Sequence, residues 1–443
     1  MRSSLIHPAR MVALAFALAI GLGMVLLMLP WARATGTSAP WLVALFTSVS
    51  AVCVTGLAVV DTGTYWSSFG QWVIVGLFQM GGFGMMTAAT LLGLMVNNTL
   101  RLRTRLIQQA EAQSLGLGDV RSVAKLVLIV TLLVEAVVAV LLMLRLHLGY
   151  GAAWGDAAWS GLFHSISAFN NAGFSIYSDN LVRFAGDAWV LLPLMASIVI
   201  GGIGFPVLRD LLSHWRGPRH LALHTKITLT GTAVLLVAGF ALLLWFEWAN
   251  PDTLGPMGWG DKALSAAFAS VSARTAGFNT VDIGKLAQES ISLHYLLMFI
   301  GAGSASTAGG VKVSTFFVLI LLVWSVVRGR RDTEGFGRRI SIRAQREAAT
   351  VLLLGSALVA LGTLVVLHGT QYSINQVIFE VVSAFGTAGL STGITADLPA
   401  AGQLTLIALM YAGRVGTITL ATSLALGEQR MSIRYPEEHP LVG

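Results

Sequence analysis

The chain has 443 residues, of which 55% are hydrophobic and 11% charged, with a mean hydropathy of +0.75. An average soluble domain is roughly 25% charged, so a soluble globular class is excluded. The single cysteine, Cys53, excludes intramolecular disulfides, thiolate metal clusters and dithiol redox chemistry, and the net charge of +7 reads as membrane topology rather than as a nucleic-acid surface.

Taken in order, apolar runs near or above the ~20 residues that cross ~30 Å of hydrocarbon predict an all-α polytopic membrane protein; β-barrel strands would be ~10 residues long. The first run, 11–30, follows Arg2 and Arg10 and precedes Ala32-Arg33-Ala34, which resembles a signal-peptide cleavage site. It is longer than an h-region of ~7–15 residues, so it is read as the first transmembrane helix. Further spans are expected at 71–95, 123–146, 188–212, 226–248, 291–325 with an interruption, 348–368 and 403–426. Arg and Lys gather in the N-terminus, 96–125, 209–226, 328–346 and the tail, which fall on one side of eight transmembrane helices. By the positive-inside rule that side is the cytoplasm, with both termini on it.

The remaining connections carry a repeat. "SAVCVTGLAVVD" (50–61), "SAFNNAGFSIYSD" (167–179), "SARTAGFNTVD" (272–282) and "SAFGTAGLSTGITAD" (383–397) each begin Ser-Ala, reach a glycine and continue to an Asp. The aligned glycines are Gly56, Gly173, Gly277 and Gly389, and a second glycine cluster follows each, at 81, 201, 301 and 412. Short apolar segments precede them at 40–52, 155–169, 261–273 and 373–385, enough to dip into a membrane but not to cross it. The predicted organisation is four span, re-entrant pore loop, span repeats with pseudo-fourfold symmetry around one central pore: 1–96, 97–213, 214–327 and 328–443, all one transmembrane domain. Close helix packing through small residues would explain any one glycine stretch; four in phase point to a pore.

A short helix entering from outside aims its C-terminus, about half a negative charge, at the midplane, and glycine lets the following carbonyls turn toward the axis. The expected selectivity filter is Cys53, Val54, Thr55, Gly56; Asn170, Asn171, Ala172, Gly173; Arg274, Thr275, Ala276, Gly277; and Gly386, Thr387, Ala388, Gly389. None is acidic, which suits a weakly hydrated monovalent cation held by backbone carbonyls and not a calcium site. Arg274 departs from the neutral pattern, and its stretch is one residue shorter from Ser-Ala to glycine; its side chain is expected to leave the axis.

"GAGSASTAGGVKVSTF" (301–316) interrupts the sixth span, and so many glycines suit a cavity lining, or a packing kink, better than a lipid-facing helix. No GKS or GKT makes it a P-loop, and Ser304 and Ser306 lack a Gly-x-Ser-x-Gly frame. Arg414, in mid-span, would cost roughly 2.5–3.5 kcal/mol at the bilayer centre, so it is expected to face the pore or a partner. No paired polar catalysts face one another within the spans, so no enzyme is expected. His220 and His224 read as part of a solvated basic loop, with metal binding the alternative; His164 reads as a core hydrogen-bonder. Asn97-Asn98-Thr99 matches a glycosylation sequon on the predicted cytoplasmic side, and the basic stretch 328–346 suits anionic membrane lipid or an acidic partner.

In "VSARTAGFNTVD", "GAGSASTAGGVKVSTF" and "YAGRVGTITL", and along nearly its whole length, the chain resembles the potassium-translocating subunits of the bacterial Trk/Ktr uptake systems, relatives of the plant and fungal high-affinity transporters (the Ktr/Trk/HKT superfamily). Its compactness is most similar to the Ktr-type subunit. The resemblance implies potassium as the substrate ion (K+ at the filter carbonyls), no bound cofactor, and a gate formed by Gly301, Gly303, Ser304, Ser306, Thr307, Gly309, Gly310, Lys312 and Arg414, with Arg414 repelling cations until the loop moves. It further implies a homodimer in the plasma (inner) membrane, with a cytosolic nucleotide-binding regulatory ring of RCK type. Four filter glycines point to potassium; a sodium-permeable or mixed monovalent cation transporter is the alternative, and sodium dependence stays open.

Overall fold

The computed structural model describes residues 8–84, 117–214 and 221–416. The sequon, His220 and the C-terminal ends of the spans expected over 71–95 and 403–426 lie outside the described residues. In chain order the helices are α1 (Pro8–Met28), α2 (Trp41–Val52), α3 (described over 68–84), α4 (Leu117–Tyr150), α5 (Trp154–Phe169), α6 (Ala188–Ile203) and α7 (Phe205–Ser213). They continue as α8 (Leu223–Glu247), α9 (Trp259–Ser272), α10 (Gln288–Phe299), α11 (Val313–Val327), α12 (Ile342–His368), α13 (Ile374–Gly386) and α14 (Ala400–Tyr411), with one-turn helices between some of them.

Among the described residues four helices, α1, α4, α8 and α12, are long and apolar enough to cross a membrane. Leu18, Leu133, Val237 and Leu353 stand open on their outer faces, where hydrocarbon is the only favourable neighbour. Each is followed by one of the short helices α2, α5, α9 and α13, within two residues of the expected bounds. Trp41, Trp154 and Trp259 start three of these and are exposed, the composition of a membrane interface.

Buried serines fix three of the four short helices to the long one before them; α13 has Val381 at the equivalent position. Ser48 Oγ donates to the Ile20 carbonyl at 2.8 Å, Ser165 Oγ to that of Glu135 at 2.6 Å, and Ser270 Oγ to that of Leu236 at 2.9 Å. A helical carbonyl that already accepts an intrahelical bond has a second lone pair free for this, and each serine stands two residues before the Ser of its Ser-Ala pair.

The span expected to run unbroken over 188–212 does not do so: α6 and α7 meet at a 95° bend. Gly204, between them, has φ +96°, and Pro206 follows in the first turn of α7. Only glycine tolerates that backbone angle, and the bare Cα also lets the Ser304 carbonyl of the loop after α10 pack against it. Asp210 then ties α7 to α8 through Thr225 Oγ1 at 2.6 Å and the Ala222 amide at 2.9 Å.

The expected interruption of the sixth span is present as a non-helical looped segment, 300–312, between α10 and α11, with Ile300 and Val311 in a parallel bridge. Within the basic stretch 328–346, β1 (Glu334–Gly335) and β2 (Arg338–Arg339) form an antiparallel hairpin. Its turn residues Phe336 and Gly337 both have positive φ, as a tight two-residue hairpin requires.

Candidate functional site

The four glycine stretches begin where α2, α5, α9 and α13 end. None of these helices carries a basic residue in its last turn, so their negative ends are uncompensated by side chains. Beyond them Val54 (φ +56°), Asn171 (+57°), Thr275 (+70°) and Thr387 (+49°) adopt the left-handed region, although none is glycine. For a β-branched residue that conformation is a genuine outlier, and such strain collects at functional sites.

The chain then folds back on its own helix. The amides of Thr55, Ala172 and Ala388 bond the carbonyls of Ser50, Ser167 and Ser383, five residues earlier, at 2.7–2.8 Å. In the third stretch Ala276 reaches Ser272, four residues back, at 2.9 Å. The missing residue is thus absorbed in the cap, and Gly277 still arrives beside its counterparts. The serines of the first three Ser-Ala pairs hold the far side of their stretches: Ser50 Oγ accepts from the Gly56 amide at 3.1 Å, and Ser167 Oγ donates to Phe174 O at 2.8 Å and Ser272 Oγ to Phe278 O, while Ser383 Oγ has no partner among the described residues.

The four stretches come together in a closed cycle of backbone contacts. A methyl group on Gly56 would lie 2.5 Å from Ala172 O and 2.9 Å from Gly173 Cα; on Gly173, 2.8 Å from Gly277 Cα. One on Gly277 would meet Ala388 O at 3.0 Å, and one on Gly389 would meet Thr55 O, which returns to the first stretch. All sixteen expected filter residues therefore belong to segments that share one place.

The four residues that lead into the cycle turn side chains away from it, sit against the flanking helices or are buried. Asn170 points to Gln79 and Glu135. Arg274 leaves the axis, as expected, and its guanidinium reaches Thr232 Oγ1 at 3.5 Å and Gly301 O at 3.4 Å. Gly386 packs against the Met298 carbonyl, and Cys53 is wholly buried. The second glycine clusters have the same physical cause in three cases: Gly81, Gly201 and Gly413 let the carbonyls of Val52, Phe169 and Phe385, at the ends of short helices, approach where a Cβ would stand.

Segment 300–312 runs beneath the cycle. Thr307 Oγ1 donates to Phe169 O at 3.3 Å, and the Thr307 amide to Gly201 O at 3.3 Å. Gly309 abuts Thr387, Gly310 abuts Gly386, and Gly301 abuts Gly309 O. Ser306 Oγ closes a turn on Gly303 O at 2.6 Å, Ser304 Oγ meets Ser314 Oγ at 2.8 Å, and the Lys312 ammonium donates to Ala308 O. Arg414, in the π-helical turn Ala412–Gly416, is fully buried and donates to Thr307 O and, at 3.2 Å, to Gly81 O. Its guanidinium thus joins the loop to α3, with Nε left without a partner among the described residues.

Other expected residues fall elsewhere. His164 is buried and bonded to Ser160 O and Ser175 Oγ at 2.8 and 2.9 Å. Asp61 and Asp282 cap one-turn helices through Gly63 and Gly284 amides, while Asp179 pairs with Arg183. Among the described residues no cluster of His, Cys, Asp and Glu could hold a metal ion. Sequence reasoning missed Glu135, whose signal was plain: one carboxylate inside the apolar run 126–144.

The profile of the TrkH family, described as cation transport protein, matches residues 14–435. The chain is 41% identical to Ktr system potassium uptake protein B of Bacillus subtilis, across 98% of this chain and 97% of that one. It is 38% identical to Ktr system potassium uptake protein B of Vibrio alginolyticus (90% and 88% covered) and 34% identical to potassium/sodium uptake protein NtpJ of Enterococcus hirae (99% and 98%). The solved structure of the potassium transporter TrkH from Vibrio parahaemolyticus superposes with a TM-score of 0.71 over 95% of this chain and 85% of that one, at 19% identity, a likeness of fold. The chain is a multi-pass membrane protein that belongs to the TrkH/Ktr family, ion transporters and not enzymes.

Proposed function

We propose that the chain takes up potassium across the plasma membrane through one pore, lined by four span, re-entrant loop, span units in pseudo-fourfold array. The observation that carries this is the closed cycle of Gly56, Gly173, Gly277 and Gly389. Four helix C-termini and the carbonyls of Thr55, Ala172, Ala276 and Ala388 meet there with no carboxylate among the sixteen expected filter residues, a field suited to a partly dehydrated monovalent cation. The relatives named for potassium uptake support the choice of ion.

Segment 301–316 acts as the gate, held closed by Arg414 through Thr307 O and Gly81 O. Lys312 and Arg414 set a positive barrier below the filter. The membrane potential drives influx: 100 mV is worth about 2.3 kcal/mol per charge, roughly fifty-fold accumulation. Both termini are cytoplasmic, and the membrane subunit is a homodimer. The exposed, arginine-rich hairpin around Arg338 and Arg339 suits docking of a cytosolic nucleotide-binding ring, and the relatives' names as parts of a Ktr system agree with a separate subunit.

Flux of potassium and of sodium into proteoliposomes, for the natural chain and Gly56→Ser, tests the filter. Potassium preference that falls in the variant is expected; equal ratios in the two proteins refute it. A relative named for both ions favours a second reading, a sodium-permeable transporter, and the same ratio decides between them.

A further inference from the structure

Glu135 lies in the middle of α4 and is 4% exposed. Each oxygen of its carboxylate accepts one amide hydrogen bond: Oε1 from Asn170 Nδ2 and Oε2 from Gln79 Nε2, both at 3.2 Å. Asn170 Nδ2 also donates to Gln79 Oε1, which closes a ring of three side chains from α4, α3 and the end of α5. Among the described residues no cation pairs with this carboxylate. An isolated carboxylate at membrane depth is costly, and a packing role would be filled more cheaply by an apolar side chain of the same size.

The fold supplies the comparison. The serine bonds that align the long helices put Ile20, Glu135 and Leu236 at equivalent positions. Two of the three are apolar, so the helix packing does not need a carboxylate there. The residues three before each aligned glycine differ in the same way: Asn170 stands where the other stretches have Cys53, Arg274 and Gly386, and among the described residues only Asn170 of these four bonds a carboxylate. From Asn170 the chain passes directly to Asn171, Ala172 and Gly173, whose backbone abuts Gly56 on one side and Gly277 on the other.

Resting on the carbonyl-filter reading above, we propose that Glu135 is a specificity-determining positioning residue: held behind the second stretch by Asn170 and Gln79, its carboxylate fixes where the carbonyls around Ala172 stand and adds negative potential behind them, which favours potassium over sodium. The charge acts through Asn170 and touches no ion. Its hydrogen bonds are charge-assisted, stronger than those a neutral amide would accept in its place, so loss of the charge loosens one quarter of the cycle while leaving the shape of the side chain.

The test measures potassium and sodium fluxes separately in proteoliposomes for the natural chain, Glu135→Gln, Glu135→Leu and Gln79→Leu. Glu247→Gln is the control, because that buried carboxylate serves the outer loop through Asn250, Thr253 and the Ala287 amide. Glu135→Gln is expected to lower the potassium-to-sodium ratio by about tenfold, the scale of one charge-assisted hydrogen bond; Glu135→Leu lowers it at least as far, Gln79→Leu less, and Glu247→Gln not at all. A role in folding alone would reduce both fluxes together and leave every ratio at the natural value, and that result overturns the inference even if Glu135→Leu fails to fold, since Glu135→Gln keeps the volume. Loss of ratio in Glu247→Gln equal to that in Glu135→Gln also overturns it. A natural chain with no preference for potassium removes the filter reading and this inference with it; a natural chain that discriminates, with Gly56→Ser impaired and Glu135→Gln unimpaired, removes this inference alone.

Discussion

Gly173 and Gly151 share the same backbone angle, φ +68°, and differ in what surrounds them. Alanine in that left-handed conformation costs about 1–2 kcal/mol at either position. Beyond Gly151, at the end of α4, nothing lies within 4 Å of the added carbon. At Gly173 it would fall 2.8 Å from Gly277 Cα and 2.9 Å from Ala276 O. Carbon atoms pack best at roughly 3.5–4.0 Å, so the third stretch must retreat by about 1 Å, and it is backbone that cannot rotate aside. Overpacking of this kind costs about 1–3 kcal/mol, which raises the total at Gly173 to about 2–5 kcal/mol. Thermal unfolding in detergent, paired with potassium and sodium fluxes in proteoliposomes, reads both consequences. Gly151→Ala should lose a little stability and keep its ion ratio, whereas Gly173→Ala should lose more stability and about tenfold in discrimination. Equal stability and equal ratios in the two variants would refute the reasoning that close backbone approach, and not the glycine conformation alone, is what the filter requires.

Arg414→Met removes two hydrogen bonds from a charged donor, each worth about 1.5–3 kcal/mol, and relieves a buried charge that has no carboxylate partner among the described residues. The loop is released and the positive barrier lost, so the initial rate of potassium uptake should rise several-fold to about tenfold; a rate and half-saturation like those of the natural chain would remove Arg414 from gating. Burial raises the carboxyl of Asp61, but hydrogen bonds from Ser178, Thr64 and Gly63 outweigh it and hold the group below its ordinary range. A depressed folded value stabilises fully above the unfolded pKa of about 3.9 and is lost as pH falls through the folded one. Thermal stability should therefore drop below about pH 4, and Asp61→Ala should cost about 1 kcal/mol at neutral pH as a lost cap while flattening that acid window.

Much of this arrangement was legible because it is repeated. One Ser-Ala-to-glycine stretch is compatible with plain helix packing; four at near-equal intervals located α2, α5, α9 and α13 within two residues and singled out the glycines that meet in the cycle. What escaped was what single positions decide. The bend at Gly204 was hidden because no charged residue occurs from 188 to 208, and a left-handed glycine followed by proline breaks a helix without altering its hydropathy. The short third stretch looked like a defect until the cap of α9 was seen to close one residue early. Glu135 was overlooked for the opposite reason: it interrupts an otherwise uniform span and belongs to no repeat, so a search for repetition passes over it.

The cycle of glycines has no free end. Each stretch is seated on the next and the fourth returns to Thr55, so an outward shift of any one widens a gap on one side only by closing another. Dilation of the ring would need all four stretches to move together, each against the backbone bond that folds it onto its own helix. A geometry closed in this way behaves as a fixed aperture, which is why the proposed gating falls to the segment beneath it, held by Arg414 and by the bonds of Thr307 to Phe169 O and Gly201 O.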